Sequence, residues 1–409
     1  MQLLHFTLFL LTFVSAENWV VLVCGSEGYS NYRHHADVAH AYQIVRAGGV
    51  DPDNIITMMY NDVPFSSKNP FPGKLFNRPG DEAPDVYDGV IVDYMEKEVS
   101  PENLIKVLTG DDSAGKKVLK STEEDNVFFF FSDHGSLEVL ALPGGYLHSR
   151  DLMSAIETMH RKKMYKKLVM YVDACYSGSM FLNLPEHLNV VAVTAANEQE
   201  SSWSWYCGDE AMVRDKKLGT CLGDQFTVYW TEDAEKGEQK TETLDDQFNY
   251  LVKAVTKSHV MRYGDVSFKD DVIGEFIGYP SNRNTVPYQH SYVQWDSRDN
   301  EMLFRLYMAQ HTTGKEQKKW QKLYEEEVAS RQAIDRYFYA LAKDAEYYQM
   351  PEPVKNTECY ARAIKQFEAS LGRSDYALKY FNVFVKICNE NPLAFSRAFA
   401  EGNQYQYWH

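Results

Sequence analysis

Cysteine is scarce in this chain, with six in 409 residues. A disulfide-built scaffold is therefore excluded, and the fold has to rest on a hydrophobic core. After residue 16 no apolar run approaches the ~18 residues that a membrane-crossing helix needs. Asn-x-Ser/Thr is absent throughout, so no N-glycan is expected. Positive charge is also short: 42 Lys+Arg face 58 Asp+Glu, a net of −16. So acidic a surface repels phosphate backbones and anionic lipid, which argues against nucleic-acid and membrane-surface partners. What is present is apolar: 44% hydrophobic and 14% aromatic residues supply a core and argue against disorder. The length suits one large domain plus a smaller one.

Residues 1–16, MQLLHFTLFLLTFVSA, combine a short apolar run with small residues at its end. This reads as a signal peptide cleaved after Ala16, although its only positive charge is the amino terminus. The secretory route implies an oxidising compartment, where the cysteines must be accounted for. Cys207, Cys221, Cys359 and Cys388 fall into two local pairs, Cys24 ends a buried-looking run, and Cys175 is left over. An unpaired cysteine in such a protein is a candidate reactive thiol.

From residue 17 to 278 short apolar runs alternate with helical patterns. The runs are NWVVLVC (18–24), NIITMMY (54–60), VFFFFSDHG (127–135), KLVMYVDAC (167–175) and NVVAVTAAN (189–197). Their near-continuous β-branched and aromatic content suits strands buried on both faces. Helices are expected near 36–47, 101–108 and 150–163, giving an α/β fold with a mainly parallel sheet. Residues 279–300, with Pro280, Ser281 and Pro287 but few aliphatics, read as a linker. Beyond it the period becomes helical, with Trp320, Leu323, Tyr324, Val328, Ile334, Phe338 and Leu341 on one face. Residues 301–409 are thus expected to be a small all-α domain. In it Cys359 and Cys388 lie on neighbouring helices that one disulfide can pin.

In parallel sheets, sites gather beyond the carboxyl ends of strands. Cys24-Gly25-Ser26, Ser132-Asp133-His134-Gly135 and Asp173-Ala174-Cys175 are such tails. A cysteine nucleophile needs a base and donors for the oxyanion, and His134, Gly135 and Cys175 offer all three. Each residue alone has an ordinary structural reading, as a turn or a strand end. Together they point to nucleophilic catalysis, which calls for no metal and no cofactor.

The strings SDHGS, DACYSGSM, TAANEQESS (194–202) and SNYRHHADVAHAYQI (30–44), with HVMRYGD and CLGD, resemble the legumain (asparaginyl endopeptidase) family, in the same order and with similar spacing. The resemblance implies a caspase-like catalytic domain and a helical, death-domain-like inhibitory prodomain. It implies Cys175 as nucleophile, His134 as base, Gly135 at the oxyanion hole and Asn31 orienting the histidine. Arg33, His34, Asp173, Ser201 and Asp224 match the pocket for the residue before the cut. Asparagine presents both an acceptor and a donor, and the Arg33 and Asp224 pair answers both. Where the family usually has Glu-Ala-Cys-Glu-Ser-Gly, this chain has Asp173-Ala174-Cys175-Tyr176-Ser177-Gly178, which bears on pocket size and pH profile. The Cys207–Cys221 pairing matches one in plant members. Protein and peptide substrates, cystatin-type inhibitors and a lysosome-like compartment are further implied. Ligation through the same acyl-enzyme, or a non-catalytic binding role, remain the alternatives.

Residues 301–409 hold 15 basic and 14 acidic residues, against 27 and 44 in the remainder. A balanced helical part with a basic cluster at Lys315, Lys318, Lys319 and Lys322 is therefore expected to cap an acidic catalytic part, to loosen at low pH, and to be cut at Asn282, Asn284 or Asn300.

Overall fold

The computed structural model describes residues 16–280, 291–342 and 352–390. The expected signal peptide, apart from Ala16, and Asn282 and Asn284 lie outside the described residues. Strands β1 (Asn18–Cys24), β2 (Ile55–Met58) and β3 (Asn126–Ser132) pair in parallel, with β1 between the other two. A short antiparallel meander follows: β4 (Gly135–Ser136), β5 (Val139–Leu142) and β6 (Gly145–His148). β7 (Lys167–Asp173) and β8 (Val190–Thr194) extend the main sheet in parallel. β9 (Trp203–Cys207), β10 (Met212–Val213), β11 (Lys216–Lys217) and β12 (Cys221–Asp224) come next. β13 (Met261–Gly264) runs antiparallel on β8 and completes the six-stranded order β13-β8-β7-β3-β1-β2. β14 (Trp295–Asp296) joins β9 and β12 in a separate small sheet.

Period-two alternation explains why the central strands are apolar on both faces. On β3, Phe128 and Phe130 enter one core while Val127, Phe129 and Phe131 enter the other. β1 divides the same way, with Val20 and Leu22 opposite Val21 and Val23. Helices α1 (Tyr32–Ala47), α2 (Pro101–Thr109), α3 (Ser149–Arg161), α4 (Gln225–Glu235), α5 (Leu244–Ala254) and α6 (Gly274–Ile277) complete the α/β part. α2 starts at a Ser100 cap and ends at Gly110 in the left-handed conformation.

The C-terminal helices are α7 (Asn300–His311), α8 (Gly314–Ala342), α9 (Thr357–Leu371) and α10 (Phe381–Glu390). Here the structure departs from the expected boundary at residue 301. Phe304 and Trp320, on α7 and early α8, belong to the core of the α/β part. Ile334, Tyr337, Phe338 and Leu341, later on α8, pack with α9 and α10. One 29-residue helix thus bridges two cores. The expected linker also ends early: Trp295–Asp296 is a strand, and Ser297, Arg298 and Asn300 are buried. The Cys359–Cys388 disulfide joins α9 to α10, and Cys207–Cys221 joins β9 to β12. Cys24 and Cys175 are free and buried. No helix among the described residues is long and apolar enough to cross a membrane.

Candidate active site

β3 and β7 are in register with Ser132 opposite Asp173, so His134 and Cys175 each lie two residues beyond the same rung. The β3 end also adjoins Cys24 of β1, so the three polar tails share one sheet edge. Gly135 packs directly on this corner, where a side chain would strike the Cys175 carbonyl oxygen. Tyr176 turns the chain away from β7 at φ +56°, a left-handed conformation rare outside glycine.

Asn31 sets the state of His134. Its Nδ2 donates to the Glu27 carbonyl at 3.1 Å, and its Oδ1 accepts from Arg33 Nη1 at 3.2 Å. The Oδ1 therefore faces donors only, and His134 Nε2, at 2.9 Å, must carry the proton that it receives. In the neutral ring the lone pair is then on Nδ1, which is buried and has no hydrogen-bond partner among the described residues. That is the nitrogen left to accept a proton. The Cys175 sulfur accepts the Ser202 N–H at 3.2 Å. Burial pushes its thiol up, an effect that nearby Arg298 partly offsets.

Beside this pair lies a buried ionic cluster. Arg33 Nε donates to Asp224 Oδ1 at 2.9 Å, and both side chains are at most 2% exposed. His34 Nε2 is 3.3 Å from the other Asp224 oxygen, and its Nδ1 is 2.8 Å from Ser26 Oγ. Burial, followed by the Arg33 charge, holds His34 well below its usual range, so it is neutral. The Asp37 carboxylate stands behind, accepting from Asn77, Ser132 Oγ and the Asp224 N–H. Carboxylate oxygens of Asp37, Asp173 and Asp224 lie within 4.8 Å of one another. Burial and then the Asp224 charge raise Asp37 and Asp173 above the usual carboxylate range.

The expected residues divide accordingly. Cys175, His134, Gly135, Asn31, Arg33, His34 and Asp224 come together. Asp173 stands behind Asp224, within the same carboxylate group, and its Oδ2 accepts the N–H and hydroxyl of Thr227 in the first turn of α4. Ser202, the residue after Ser201 and just before β9, touches the sulfur with its N–H and hydroxyl. Asn300 is a further correction. As a self-cleavage site it would have to enter the cleft, but it opens α7, is 1% exposed and donates to Ser204 Oγ. Lys315, Lys318, Lys319 and Lys322 are exposed on α8, where Lys319 and Lys322 pair with Glu316 and Glu326 of that helix.

Residues not foreseen cover the site. β14 lies antiparallel on β9, and the next residue, Ser297, donates its N–H to the Ser202 carbonyl. The Ser297 carbonyl accepts from Arg33 Nη2 at 3.3 Å, and its hydroxyl lies 3.4 Å from Asp224 Oδ1. From the short 3₁₀ turn before α10, Asp375 Oδ2 reaches His134 Nε2 at 3.2 Å. Burial alone would raise Asp375, but His134 and Arg373 outweigh it and hold the carboxyl well below its usual range. A cavity of about 300 Å³ remains, lined by Asn31, Asp133, His134, Arg298, Arg373 and Asp375 among others.

Residues 18–279 match the model of the peptidase C13 family. The chain is 37% identical to vacuolar-processing enzyme beta-isozyme 1 of Oryza sativa subsp. japonica, over 91% of this chain and 81% of that one. It is 36% identical to human legumain over 93% and 91% of the two chains. Hemoglobinase of Schistosoma mansoni is 45% identical over 64% of this chain and 59% of its own. A solved caspase-1 from Spodoptera frugiperda aligns at a TM-score of 0.38 and 9% identity, over 66% of this chain and 92% of that one, which is too slight to argue from. With its free thiol and histidine at one sheet edge and this kinship along its length, the chain belongs to the peptidase C13 (legumain) family of cysteine endopeptidases.

Proposed function

We propose that this endopeptidase cleaves after asparagine and is held as a zymogen by its own C-terminal helices. The observation that carries the specificity is the buried Arg33–Asp224 pair, 2.9 Å apart, next to the Cys175 and His134 corner. A primary amide needs an acceptor for its NH₂ and a donor for its oxygen, and the pair supplies one of each. Ser297 already uses both, through its hydroxyl and its carbonyl. In the reaction, Cys175 Sγ bonds to the scissile carbonyl carbon and His134 Nδ1 takes the thiol proton. The N–H groups of Gly135 and Cys175 receive the oxyanion, and His134 returns the proton to the leaving amine. Water then hydrolyses the thioester.

The covering segments account for latency. Ser297 fills the pocket, and Asp375 holds the histidine that must cycle. The acidic secretory or lysosome-like setting proposed for this enzyme bears on Asp375. Its carboxyl is depressed when capped and returns to about 3.9 when the helices leave. Its contribution to capping is therefore fully present above about pH 4 and is lost as pH falls below that. The catalytic and helical pieces of a Cys175→Ala zymogen, cut once between residues 281 and 290, should dissociate more readily at pH 3 than at pH 7. The step should shrink in Asp375→Asn, read by gel filtration across the pH series. Equal pH dependence in both proteins would remove Asp375 from the switch.

A further inference from the structure

The segment that covers the site runs past it in the order a substrate would. Trp295 and Asp296 pair with β9, Ser297 occupies the Arg33–Asp224 pocket, and Arg298 comes next. The guanidinium carbon of Arg298 sits 4.7 Å from the centre of the Tyr176 ring, one residue beyond the candidate nucleophile. Arg298 is only 7% exposed, yet its Nε and Nη2 have no hydrogen-bond partner. Among the described residues no carboxylate forms an ion pair with it. Its backbone is held separately, the N–H by Asp296 Oδ1 at 3.0 Å and the carbonyl by Arg331 Nη2 at 2.9 Å. A buried cation with two nitrogens left unpaired is costly unless something attracts it. It meets the Tyr176 ring, whose face attracts a guanidinium ion at this distance, and it also feels the Asp296 charge.

We infer that Tyr176 is the floor of a subsite for a cationic side chain, arginine or lysine, at the substrate residue that follows the cleaved bond. Tyr176 is half-buried under Arg298 and against the helical core, so departure of the helices and of residues 295–298 uncovers the ring face beside Cys175. The left-handed φ of Tyr176 and the Glu200 carbonyl that accepts its N–H at 2.8 Å fix where the side chain starts. The ring is thus positioned by the catalytic part, independently of the cap. This inference rests on the cleavage reading above, because the order of subsites is counted from the Arg33–Asp224 pocket.

The test uses the processed enzyme and quenched fluorescent peptides that differ only at the residue after asparagine: arginine, its neutral isostere citrulline, or glutamate. Cation–ring attraction at a partly open site predicts kcat/KM for arginine roughly threefold to tenfold above citrulline. Tyr176→Phe keeps the ring and should keep that ratio. Tyr176→Gly removes it at a φ that glycine adopts freely and should bring the ratio to one; Tyr176→Leu serves the same purpose should the glycine variant not fold. A ratio near one in the wild-type enzyme overturns the subsite. So does a ratio that survives loss of the ring, which would trace the preference to the general acidity of the protein. If no asparagine peptide is cut at all, the cleavage reading itself fails; if all are cut equally, only the Tyr176 subsite does.

Discussion

Cys175→Ala is expected to abolish peptide cleavage, with kcat/KM falling on the order of 10⁴-fold or more. The pocket can still bind an asparagine side chain, but without the sulfur no thioester forms and the histidine has nothing to deprotonate. Folding should survive the change, because Cys175 is a free, buried thiol whose hydrogen bonds among the described residues run to Ser202. Self-processing should disappear with peptide cleavage if both use the same centre. Cys24→Ala provides the control. That cysteine is also free and buried, but it sits two strands over, at the end of β1 and 4.0 Å from Ser26 Oγ, and removing it should leave turnover intact. Full activity in Cys175→Ala with loss in Cys24→Ala would move the nucleophile to β1.

The second large effect is expected at Arg33. Its guanidinium donates to Asp224, Asn31 and the Ser30 carbonyl and, in the capped form, to Ser297. Arg33→Ala leaves the Asp224 carboxylate buried without its cation, and breaking such a pair costs about 3–5 kcal/mol of stability. It also removes the donor proposed for the substrate amide oxygen, so kcat/KM on asparagine peptides should drop about 10³-fold. Stability and recognition are separated by comparing asparagine with other residues before the cut, since a smaller folded fraction lowers all rates alike. A lower melting temperature with an unchanged preference for asparagine would place the pocket elsewhere.

The catalytic corner was legible because it is local. His134 and Cys175 announce themselves as polar tails on continuous apolar strands, and the parallel register then brings them side by side. Arg33 and Asp224 stand 191 residues apart and were paired only through family resemblance. Asp37 was hidden by its position, one turn along α1 from Arg33 inside an unremarkable helical pattern. Ser297, Arg298 and Asp375 were missed for a common reason. Each belongs to a segment whose role arises when the chain folds back on itself, and polar residues in a loop give no sign of that. Asn300 misled for the same reason, because low aliphatic content read as exposure while strand pairing by Trp295 drew the segment inward. On α8 a single apolar stripe concealed two destinations, as periodicity reports that a face is buried and not against what.

The central claim is that Cys175 forms a covalent bond to substrates presenting asparagine in the Arg33–Asp224 pocket. It is tested most directly by treating the processed enzyme with a peptide that ends in asparagine and carries a thiol-reactive group at its carboxyl end, then mapping the adduct by mass spectrometry. The account predicts one adduct, on Cys175, that is lost in Arg33→Ala and suppressed in the uncut zymogen, where Ser297 and Asp375 cover the site. An adduct on Cys24, or labelling of Cys175 that proceeds equally well without Arg33, would contradict it.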